Sequence, residues 1–482
     1  MILFGTGGIR GIMREGEFDD KTVAVASKGV ANYMKMNNLK SVLIAYDTRN
    51  NSERFAKIAA SVFAGEGLEA YLFQEPVPTP VLSYGVRKLK MDMGIVITAS
   101  HNPPEYNGYK VYTSNGVQAI PEVTDILTDL VTKAWEESIT AVEKYNYVSK
   151  DVLDDYIKEC AQLINAKLDG LKVVYSPLHG TGARFVPNLL RVLGAEVIEV
   201  TEQMEHNGNF PTAKTPNPED DRALELLREY MEKYNVDLGM ATDPDADRVG
   251  VVYKGIRLTG NQVGILLSDK LIRDYKASGR NSGMLIKTIV STNMVVPMCQ
   301  ENNVQLFEVP TGFKFIGDLV EKRKDLDFIL GFEESCGYLT GDMARDKDAV
   351  LACGLVAKVA KEYDLLERLD ELYKKYGYYI EKLLNFEFGS VQKAYDIYEK
   401  LKKFESSDIV NVVDYSEGYN GVIPNETLRF EFITGTVFVR PSGTEPKMKA
   451  YVMVKAETME KATEKVEKLA QRMKDIVKEL DK

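Results

Sequence analysis

The sequence GIVITAS at 94–100 is a short apolar run that ends in polar residues, and it follows a predicted helix over 80–90. An earlier apolar run, SVLIAY at 41–46, follows a predicted helix over 20–36 in the same way. Short runs rich in Val and Ile that alternate with helical stretches are typical of a mostly parallel sheet covered by helices. The first part of the chain is therefore predicted to be an α/β domain.

The same alternation of strand and helix restarts twice further along the chain. A polar helical region over roughly 121–165, which contains the only tryptophan, Trp135, precedes the first restart. The pattern predicts two further groups of buried strands: LKVVYS (171–176), AEVIEV (195–200), VDLGMAT (236–242) and VGVVY (249–253), then GMLIKTIV (283–290), VQLFEV (304–309) and DFILGFE (327–333). Three units of about 110–150 residues fit three similar α/β domains with mixed, mostly parallel sheets.

The last stretch of the chain follows a different pattern. Its apolar runs are longer and adjacent: TLRFEFI (427–433), GTVFVRP (435–441) and KAYVMVKAE (449–457). One amphipathic helix follows, whose apolar positions step by three and four: Met459, Ala462, Val466, Leu469, Met473, Ile476 and Leu480. The pattern predicts a C-terminal α+β domain, in which a helix crosses an antiparallel sheet.

Composition and charge restrict the class of protein. The 482 residues are 44% hydrophobic and 28% charged, which is the balance of a globular protein and excludes fibrous or fully disordered chains. The formal net charge is −11, so a nucleic-acid-binding protein is not expected, whereas a local basic pocket for a small anion stays open. Four cysteines without metal-ligand spacing are predicted to be reduced thiols: Cys160, Cys299, Cys336 and Cys353.

The sequence has neither a membrane span nor a secretory signal. No apolar run approaches the roughly 18 residues that a spanning helix needs. The N-terminus, MILFGTGGIRG, lacks a basic region followed by a long apolar stretch. We therefore expect no membrane contact and a cytoplasmic location.

The motif TASHNP contains the first candidate for catalysis. Ser100 ends a predicted buried strand and enters a polar turn with His101, an asparagine and two prolines. A serine in such a turn is held in place and accessible, as a nucleophile must be. The alternative is an ordinary turn, because Ser, Asn and Pro are common turn formers.

The motif DPDADR places three carboxylates at alternate positions, Asp243, Asp245 and Asp247. In an extended segment these side chains point to one side and repel one another unless a cation lies between them. Hard oxygen ligands in this number suit Mg²⁺. An EF-hand is excluded because Arg248 and Lys254 occupy its glycine and glutamate positions. The alternative is a solvated acidic turn.

The motif RPSGTEPK is a candidate anion site. Arg440 closes a predicted strand, and Ser442, Gly443 and Thr444 form a tight turn. An arginine binds phosphate with two parallel hydrogen bonds, and the amides of such a turn form an anion nest. The alternative is a hairpin turn with a surface arginine.

Two further motifs offer polar groups at strand ends. Glu333 and Ser335 of GFEES provide an acceptor and a donor for sugar hydroxyls, and Arg345 and Lys347 of RDKDAV provide a basic pair for a second anionic group. Acidic strand ends and surface charge clusters are common, and they are the alternative for both motifs.

The N-terminal segment FGTGGIRG is glycine-rich but fits no nucleotide-binding pattern. Arg10 occupies the place of the third glycine in the dinucleotide motif, and the chain contains no Walker pattern. Flanked by glycines, Arg10 is able to approach a phosphate closely; the alternative is a mobile loop with a solvated arginine.

Taken together and in this order, the motifs resemble those of the α-D-phosphohexomutase superfamily, the phosphoglucomutase and phosphomannomutase enzymes, over nearly the whole chain. TASHNP resembles the phosphoserine loop, DPDADR the magnesium loop, GFEES the sugar-binding loop and RPSGTEPK the phosphate-binding loop. The resemblance implies four domains around a central active-site cleft. The expected domains are a phosphoserine domain (1–150), a metal-binding domain (151–254), a sugar-binding domain (255–368) and a phosphate-binding domain (369–482).

The resemblance also implies a mechanism. Phosphorylated Ser100 passes its phosphoryl group to a sugar phosphate, and the sugar bisphosphate turns over in the cleft and returns its other phosphoryl group. Mg²⁺ is held by the three aspartates and a phosphoserine oxygen, while Arg10 and Arg248 add positive charge. A sugar 1,6-bisphosphate serves as activator. Such transfer depends mainly on positioning and electrostatics.

The proton carrier stays open at this level. Lys110 in YNGYK fits the family position proposed as general acid or base, His101 adjoins the serine, and Lys347 is a further candidate. A lysine needs a lowered pKa to act as a base near neutrality. In this scheme Glu333 and Ser335 hold the sugar in two opposed poses, while the Arg440 loop holds the distal phosphate.

The details favour glucose 1-phosphate as substrate. Bifunctional phosphomannomutase/phosphoglucomutases often carry a histidine after the sugar loop, where this chain has Cys336-Gly337-Tyr338. GFEES with RDKDAV is more similar to the phosphoglucomutase/phosphopentomutase branch, so mannose and pentose phosphates stay open. Ala246 stands where many members have glycine. The alternatives from other classes are a Mg²⁺-dependent phosphatase of the haloacid dehalogenase type and a non-catalytic sugar-phosphate-binding protein. We expect a monomer or a small homo-oligomer.

Overall fold

The computed structural model describes residues 8–443 and 445–481, which form four sheets in succession along the chain. The first three sheets contain both parallel and antiparallel pairs, and the fourth is wholly antiparallel. The predicted fold class is confirmed: three α/β domains with mixed sheets are followed by an α+β domain.

The first domain is built on a six-stranded sheet. Its elements are β1 (Ile9–Ile12), α1 (Asp20–Met36), β2 (Ser41–Tyr46), α2 (Ser52–Gly65), β3 (Glu69–Leu72), α3 (Thr79–Lys88), β4 (Met93–Ile97), β5 (Tyr106–Thr113), α4 (Pro121–Ala134) and β6 (Asn146–Tyr147). The strand order is β1-β5-β4-β2-β3-β6, in which β5 is antiparallel to both of its neighbours and the other pairs are parallel.

The second domain is built on a five-stranded sheet of order β11-β10-β9-β7-β8, with β7 parallel to β8 and β9 and the other pairs antiparallel. Its elements are α5 (Asp151–Ile164), β7 (Lys172–Ser176), α6 (Gly182–Val192), β8 (Glu196–Glu199), α7 (Thr201–Met204), a 3-10 turn (Asp221–Leu224), α8 (Glu225–Tyr234), β9 (Leu238–Thr242), β10 (Val249–Tyr253) and β11 (Ile256–Leu258).

The third domain has a four-stranded sheet of order β13-β12-β14-β15, of which only the last pair is antiparallel. Its elements are α9 (Gly260–Ala277), β12 (Gly283–Thr288), α10 (Val295–Glu301), β13 (Gln305–Val309), α11 (Phe313–Lys322), β14 (Asp327–Glu333), β15 (Gly337–Leu339), α12 (Ala349–Glu362) and α13 (Leu365–Tyr376).

The fourth domain covers one face of an antiparallel sheet of order β16-β20-β19-β18-β17 with the predicted long helix. Its elements are β16 (Tyr378–Glu387), α14 (Val391–Lys402), β17 (Ile409–Asp414), a 3-10 turn (Tyr415–Glu417), β18 (Leu428–Phe432), β19 (Gly435–Pro441), β20 (Lys447–Ala456) and α15 (Met459–Leu480). It packs on the third domain where Ile289 and Val290 join an apolar cluster with Phe438 and Tyr451.

The structure describes three of the predicted regions more closely. The polar helical region at 121–165 is two helices, α4 and α5, of which α5 packs against the second and third domains. The run at 195–200 forms an edge strand, β8, that is half-buried rather than buried. The boundaries expected after 254 and 368 fall inside the β10–β11 hairpin and inside α13.

The three α/β domains place their motifs at one equivalent turn. In each domain the last parallel strand turns back into an antiparallel neighbour, at β4–β5, β9–β10 and β14–β15. Each turn holds a non-glycine residue with positive φ: Ser100 (50°), Ala246 (48°) and Cys336 (63°). This conformation costs about 1–2 kcal/mol per residue, and such strain concentrates at functional sites. The burial of the Ala246 methyl group in the core offsets part of that cost.

The metal-loop candidate at 243–248 lies where the three α/β domains meet. Its backbone is hydrogen-bonded to all three of them: the Thr79 N–H donates to Asp245 O at 2.8 Å, Thr181 N–H to Pro244 O at 2.8 Å, and Ala349 N–H to Ala246 O at 3.2 Å. The loop is therefore held at the centre of the molecule by residues far apart in sequence.

Candidate active site

Ser100 is held rigidly at the end of β4. Its N–H donates to Thr98 Oγ1 at 2.8 Å, and its carbonyl accepts from Arg49 Nη2 at 2.6 Å. The left-handed backbone turns the side chain away from the strand, where Ser100 Oγ donates to Asp245 Oδ2 at 2.9 Å. The candidate nucleophile of the first domain therefore touches a candidate metal ligand of the second.

Arg49 fixes the whole serine loop and was not among the residues selected from the sequence. Its buried guanidinium donates to the carbonyls of Ser100, Pro103 and Tyr106, the last two at 2.8 and 3.1 Å. Asp47 lies 3.5 Å from Arg49 Nε. Both residues follow the carboxyl end of β2, which is parallel to β4. The carboxyl ends of β2 and β4 therefore lie at the same edge of the sheet, and the position of Arg49 just after β2 is the sequence feature that could have pointed to its role.

The three aspartates form one buried cluster whose ligand atoms all lie within 4.8 Å of one another. Asp243 Oδ1 accepts the amides of Asp247 and Arg248 at 3.0 and 2.9 Å. Each aspartate keeps one buried oxygen without a described hydrogen-bond partner: Asp243 Oδ2, Asp245 Oδ1 and Asp247 Oδ1. Burial and then the charges of Asp247 and Asp245 raise the pKa of Asp243 well above its ordinary value. Three unsatisfied oxygens at this spacing fit a divalent cation.

Two lysines contact this acidic cluster. Lys110 Nζ lies 3.0 Å from Ser100 Oγ and 3.1 Å from Asp245 Oδ2. Lys347 Nζ lies 3.1 Å from Asp247 Oδ2. Burial lowers the pKa of Lys347, but Asp247, Asp346 and Glu333 raise it further, so the net pKa lies above its ordinary value. Lys347 therefore stays an ammonium ion, which argues against it as a base.

The predicted arginines and the histidine lie around the serine. Arg248 is ion-paired with Glu219, and although burial opposes its charge, Glu219 and the aspartates raise its pKa. Arg10 Nη1 donates to Asn102 Oδ1 at 2.8 Å. Burial, followed by the charges of Arg248 and Arg10, lowers the pKa of His101 well below its ordinary value, so its imidazole is neutral.

The sugar-loop candidates lie at the end of β14. Glu333 is buried and accepts the Gly312 N–H at 2.9 Å, and burial raises its pKa. Ser335 is half-buried. Between them Glu334, not selected from the sequence, accepts from Thr288 Oγ1 at 3.1 Å, and burial followed by the charge of Glu333 raises its pKa to about 7.

Arg345 is a correction to the sequence analysis. Its side chain is completely buried and ion-paired with Glu321 and Asp342, and its Nη1 donates to Ala344 O at 2.7 Å. Its backbone N–H reaches Ser83 Oγ of the first domain at 2.8 Å. Lys347 reaches the metal-cluster residue Asp247, whereas Arg345 links the third domain to the first.

Two hydrogen bonds connect the described residues of the loop after β19. The Ser442 N–H donates to Lys447 O at 2.8 Å, and the Glu445 N–H donates to Ser442 Oγ at 3.2 Å. Arg440 is half-buried at the strand end and Gly443 is exposed at the turn, whereas Thr444 lies outside the described residues.

Comparison with known proteins matches this arrangement along the chain. Family models described as phosphoglucomutase/phosphomannomutase alpha/beta/alpha domains I, II and III and C-terminal domain match residues 1–138, 154–256, 259–376 and 383–476. The chain belongs to the phosphoglucomutase/phosphomannomutase family. It is accordingly a phosphohexomutase, an isomerase, as the motifs predicted.

Individual relatives agree with this family. A phosphoglucomutase of Staphylococcus saprophyticus is 34% identical over 97% of this chain and 93% of its own length. The structure of a phosphoglucomutase/phosphomannomutase family protein from Burkholderia thailandensis has a TM-score of 0.79 at 20% identity, covering 99% of this chain and 98% of that one. An Aspergillus fumigatus N-acetylphosphoglucosamine mutase, solved with GlcNAc-6P and magnesium, has a TM-score of 0.57 at 13% identity and covers 99% and 96%.

The cysteines of this phosphohexomutase agree with the sequence analysis. All four are free, as predicted, and the structure also buries them. Among the described residues, no helix has the length and apolar character needed to cross a membrane.

Proposed function

We propose that this phosphohexomutase interconverts glucose 1-phosphate and glucose 6-phosphate through a phosphorylated Ser100 and glucose 1,6-bisphosphate. The observation that carries the proposal is the contact of Ser100 Oγ with Asp245 Oδ2 at 2.9 Å, beside three carboxylates that each keep an unpartnered oxygen. The staphylococcal relative at 34% identity, named a phosphoglucomutase, supports glucose as the preferred sugar.

The aspartate cluster fits Mg²⁺ by its all-oxygen donor set and its three orphaned oxygens. Asp243, Asp245 and Asp247 would hold the ion together with an oxygen of phosphorylated Ser100. When bound, Mg²⁺ neutralises charge that develops on the transferring phosphoryl group. Arg10, and Arg248 next to the cluster, add positive charge on the same side.

Lys110 is the residue best placed to exchange a proton with Ser100. Its ammonium group already donates to Ser100 Oγ at 3.0 Å. As the bond from Oγ to phosphorus breaks, the serine oxygen gains a proton from Lys110, while the attacking sugar hydroxyl releases its own proton to solvent. When the serine oxygen attacks the bisphosphate in the second transfer, Lys110 takes the proton back, and solvent returns a proton to the departing sugar oxygen. The neutral imidazole of His101 donates or accepts hydrogen bonds in this scheme without carrying charge.

The sugar lies between the third and fourth domains in this proposal. Glu333 and Ser335 contact its hydroxyls in both orientations, and Arg440, Ser442, Gly443 and Thr444 bind the phosphate that is not reacting. Glucose 1,6-bisphosphate is the activator because it leaves phosphorylated Ser100 behind whenever it departs as a monophosphate.

The test is an isomerisation assay on glucose 1-phosphate, mannose 1-phosphate and ribose 1-phosphate with Mg²⁺ and catalytic glucose 1,6-bisphosphate, followed by NMR. We expect the highest kcat/KM for glucose 1-phosphate. A higher value for one of the others would reassign the sugar, and release of free phosphate without isomerisation would favour a phosphatase.

A second measurement locates the phosphoryl group. Intact mass and peptide mapping after incubation with glucose 1,6-bisphosphate are expected to label Ser100 in the wild type and nothing in Ser100→Ala. Ser114→Ala, at an exposed turn of the same domain, is the matched control and keeps the label. Label on any other residue would overturn the assignment.

A further inference from the structure

Helix α3 of the first domain begins against the metal-loop candidate of the second domain. The helix starts at Thr79, has ten residues and no side-chain cap, and has no acidic residue in its first turn. The first N–H groups of a helix have no partner within the helix and attract acceptors. Here the Thr79 N–H donates to Asp245 O at 2.8 Å. The start of α3 is therefore fixed to the loop that carries the three aspartates.

The side chain of Thr79 makes a second contact with the same aspartate. Its hydroxyl Oγ1 donates to Asp245 Oδ2 at 2.9 Å, and the residue is fully buried. Because its main chain is held by the helix start and its side chain is β-branched, the hydroxyl has little freedom to turn away. One residue of the first domain thus holds both the main chain and the carboxylate of Asp245.

The two carboxylate oxygens of Asp245 have unequal surroundings. Oδ2 accepts from Thr79 Oγ1, from Ser100 Oγ at 2.9 Å and from Lys110 Nζ at 3.1 Å. Oδ1 is buried and has no described hydrogen-bond partner. Three donors on one oxygen restrict rotation of the carboxylate and leave the other oxygen free for a cation.

Phosphorylation of Ser100 removes one of these three donors. The Oγ of a phosphoserine is an ester oxygen without a proton, so it is unable to donate to Asp245. Lys110 exchanges its proton with that oxygen in the proposed mechanism and is not a constant donor either. Of the three donors, Thr79 is the one that takes no part in the reaction.

We propose that Thr79 is a positioning residue of the magnesium site, whose hydroxyl holds Asp245 Oδ2 and keeps Oδ1 available to the ion in both phosphorylation states of Ser100. This inference rests on the proposed function and adds a residue outside the four motifs to the metal site. Groups that donate to a metal-ligating carboxylate orient it, and their removal typically lowers metal affinity about 10–100-fold.

The first test measures Mg²⁺ binding without turnover, by titration calorimetry in the Ser100→Ala background. Thr79→Val keeps the shape of the side chain and removes the hydroxyl, so we expect binding to weaken about ten-fold or more. Thr79→Ser keeps the hydroxyl and is expected to bind Mg²⁺ like its parent. Thr79→Ala also lacks the hydroxyl and is expected to match Thr79→Val, which keeps the test decisive if the valine variant fails to fold.

The matched control is Thr181→Val. Thr181 is also buried, and its N–H and Oγ1 both donate to the same loop, but to the main-chain carbonyl of Pro244, at 2.8 and 3.0 Å. This control is expected to keep the Mg²⁺ affinity of its parent. Parental affinity in Thr79→Val would overturn the proposal, and so would an equal loss in Thr181→Val, because the loss would then come from a general loosening of the loop.

The second test separates positioning of the metal ligand from a general structural role. The Mg²⁺ concentration that gives half-maximal activity is expected to rise about ten-fold or more in Thr79→Val. At saturating Mg²⁺, kcat and the KM for glucose 1-phosphate are expected to stay near the wild-type values. A kcat that is equally reduced at every Mg²⁺ concentration would show that the threonine supports the fold alone and would overturn the proposal.

The two proposals fail in distinguishable ways. If the wild-type enzyme does not isomerise hexose phosphates, the proposed function falls, whereas Mg²⁺ binding with and without the Thr79 hydroxyl still decides the role of Thr79. If the wild type isomerises glucose 1-phosphate and Thr79→Val keeps the Mg²⁺ affinity of its parent, only the role of Thr79 falls.

Discussion

The Asp243→Asn variant is predicted to be more stable than the wild type without Mg²⁺ and less stable than the wild type with Mg²⁺. The introduced side-chain amide would keep the oxygen that accepts the amides of Asp247 and Arg248. The substitution removes the charge of the one aspartate in the cluster that has no lysine at hydrogen-bond distance, because Lys110 contacts Asp245 and Lys347 contacts Asp247. Two carboxylates then face two ammonium ions.

The magnitude follows from the spacing of the carboxylates. Two unit charges 4.8 Å apart repel by about 3.5 kcal/mol at an effective dielectric constant of about 20. The two lysines offset part of this repulsion, so a gain of about 1–3 kcal/mol is expected for the metal-free variant. Mg²⁺ at 100 times its dissociation constant raises the free energy of unfolding of the wild type by about 2.7 kcal/mol. The variant binds Mg²⁺ more weakly and gains much less.

The assay is thermal unfolding of both proteins in EDTA and in saturating Mg²⁺. We expect Asp243→Asn to melt above the wild type in EDTA and below it with Mg²⁺, while the exposed control Asp237→Asn follows the wild type in both. A variant that melts below the wild type in EDTA, or gains as much from Mg²⁺, would refute the electrostatic argument.

Three further outcomes are expected. Arg49→Met frees the carbonyls of the serine loop, so kcat is expected to fall about 100-fold with a small change in KM, since misplacement by about 1 Å has effects of that size; an unchanged rate of phosphoserine formation would contradict it. Arg345→Met is expected to cost about 2 kcal/mol of stability and leave KM unchanged, because it removes a charge-assisted hydrogen bond to Glu321, which keeps Arg87 and Lys324 as partners; a raised KM at unchanged stability would return Arg345 to the substrate site. Burial raises the pKa of Glu334 to about 7, so its protonated form favours folding and that contribution is lost as pH rises through 7. The pKa lies about 2.5 units above its ordinary value of 4.5, so Glu334→Gln is expected to lose about 3 kcal/mol less stability than the wild type between pH 4 and pH 8, measured by urea unfolding; equal losses would contradict the assignment.

The part of the fold that local pattern controls was predictable. Strand β2, helix α1 and the paired strands of the last domain lie where the apolar spacing predicts them. The spacing is informative there because each element buries one face or both faces of a regular structure. Strand β8 was assigned as buried because its apolar content resembles that of a central strand, and only its place at the sheet edge leaves it half-exposed.

The four motifs of the candidate site were predictable from the sequence, but the contacts between residues of different motifs were not. Ser100 and the three aspartates were identified from residue type and spacing, because a strand-end serine and alternate carboxylates are local features. The contact between Ser100 and Asp245 joins residues 145 positions apart, and no local pattern encodes it.

Local sequence is enough to predict the order of strands and helices, the four motif loops and the chemistry those loops are able to perform. Which charged side chains serve the site depends on how the four domains pack. Arg345 and Lys347 are two positions apart and equally basic, yet one is buried in an interdomain ion cluster and the other contacts an aspartate of the metal cluster. Arg49 carries no motif at all and acquires its role from the sheet edge that places it beside the serine loop. The reason is physical: periodicity depends on neighbours in sequence, whereas charge pairing depends on neighbours in space.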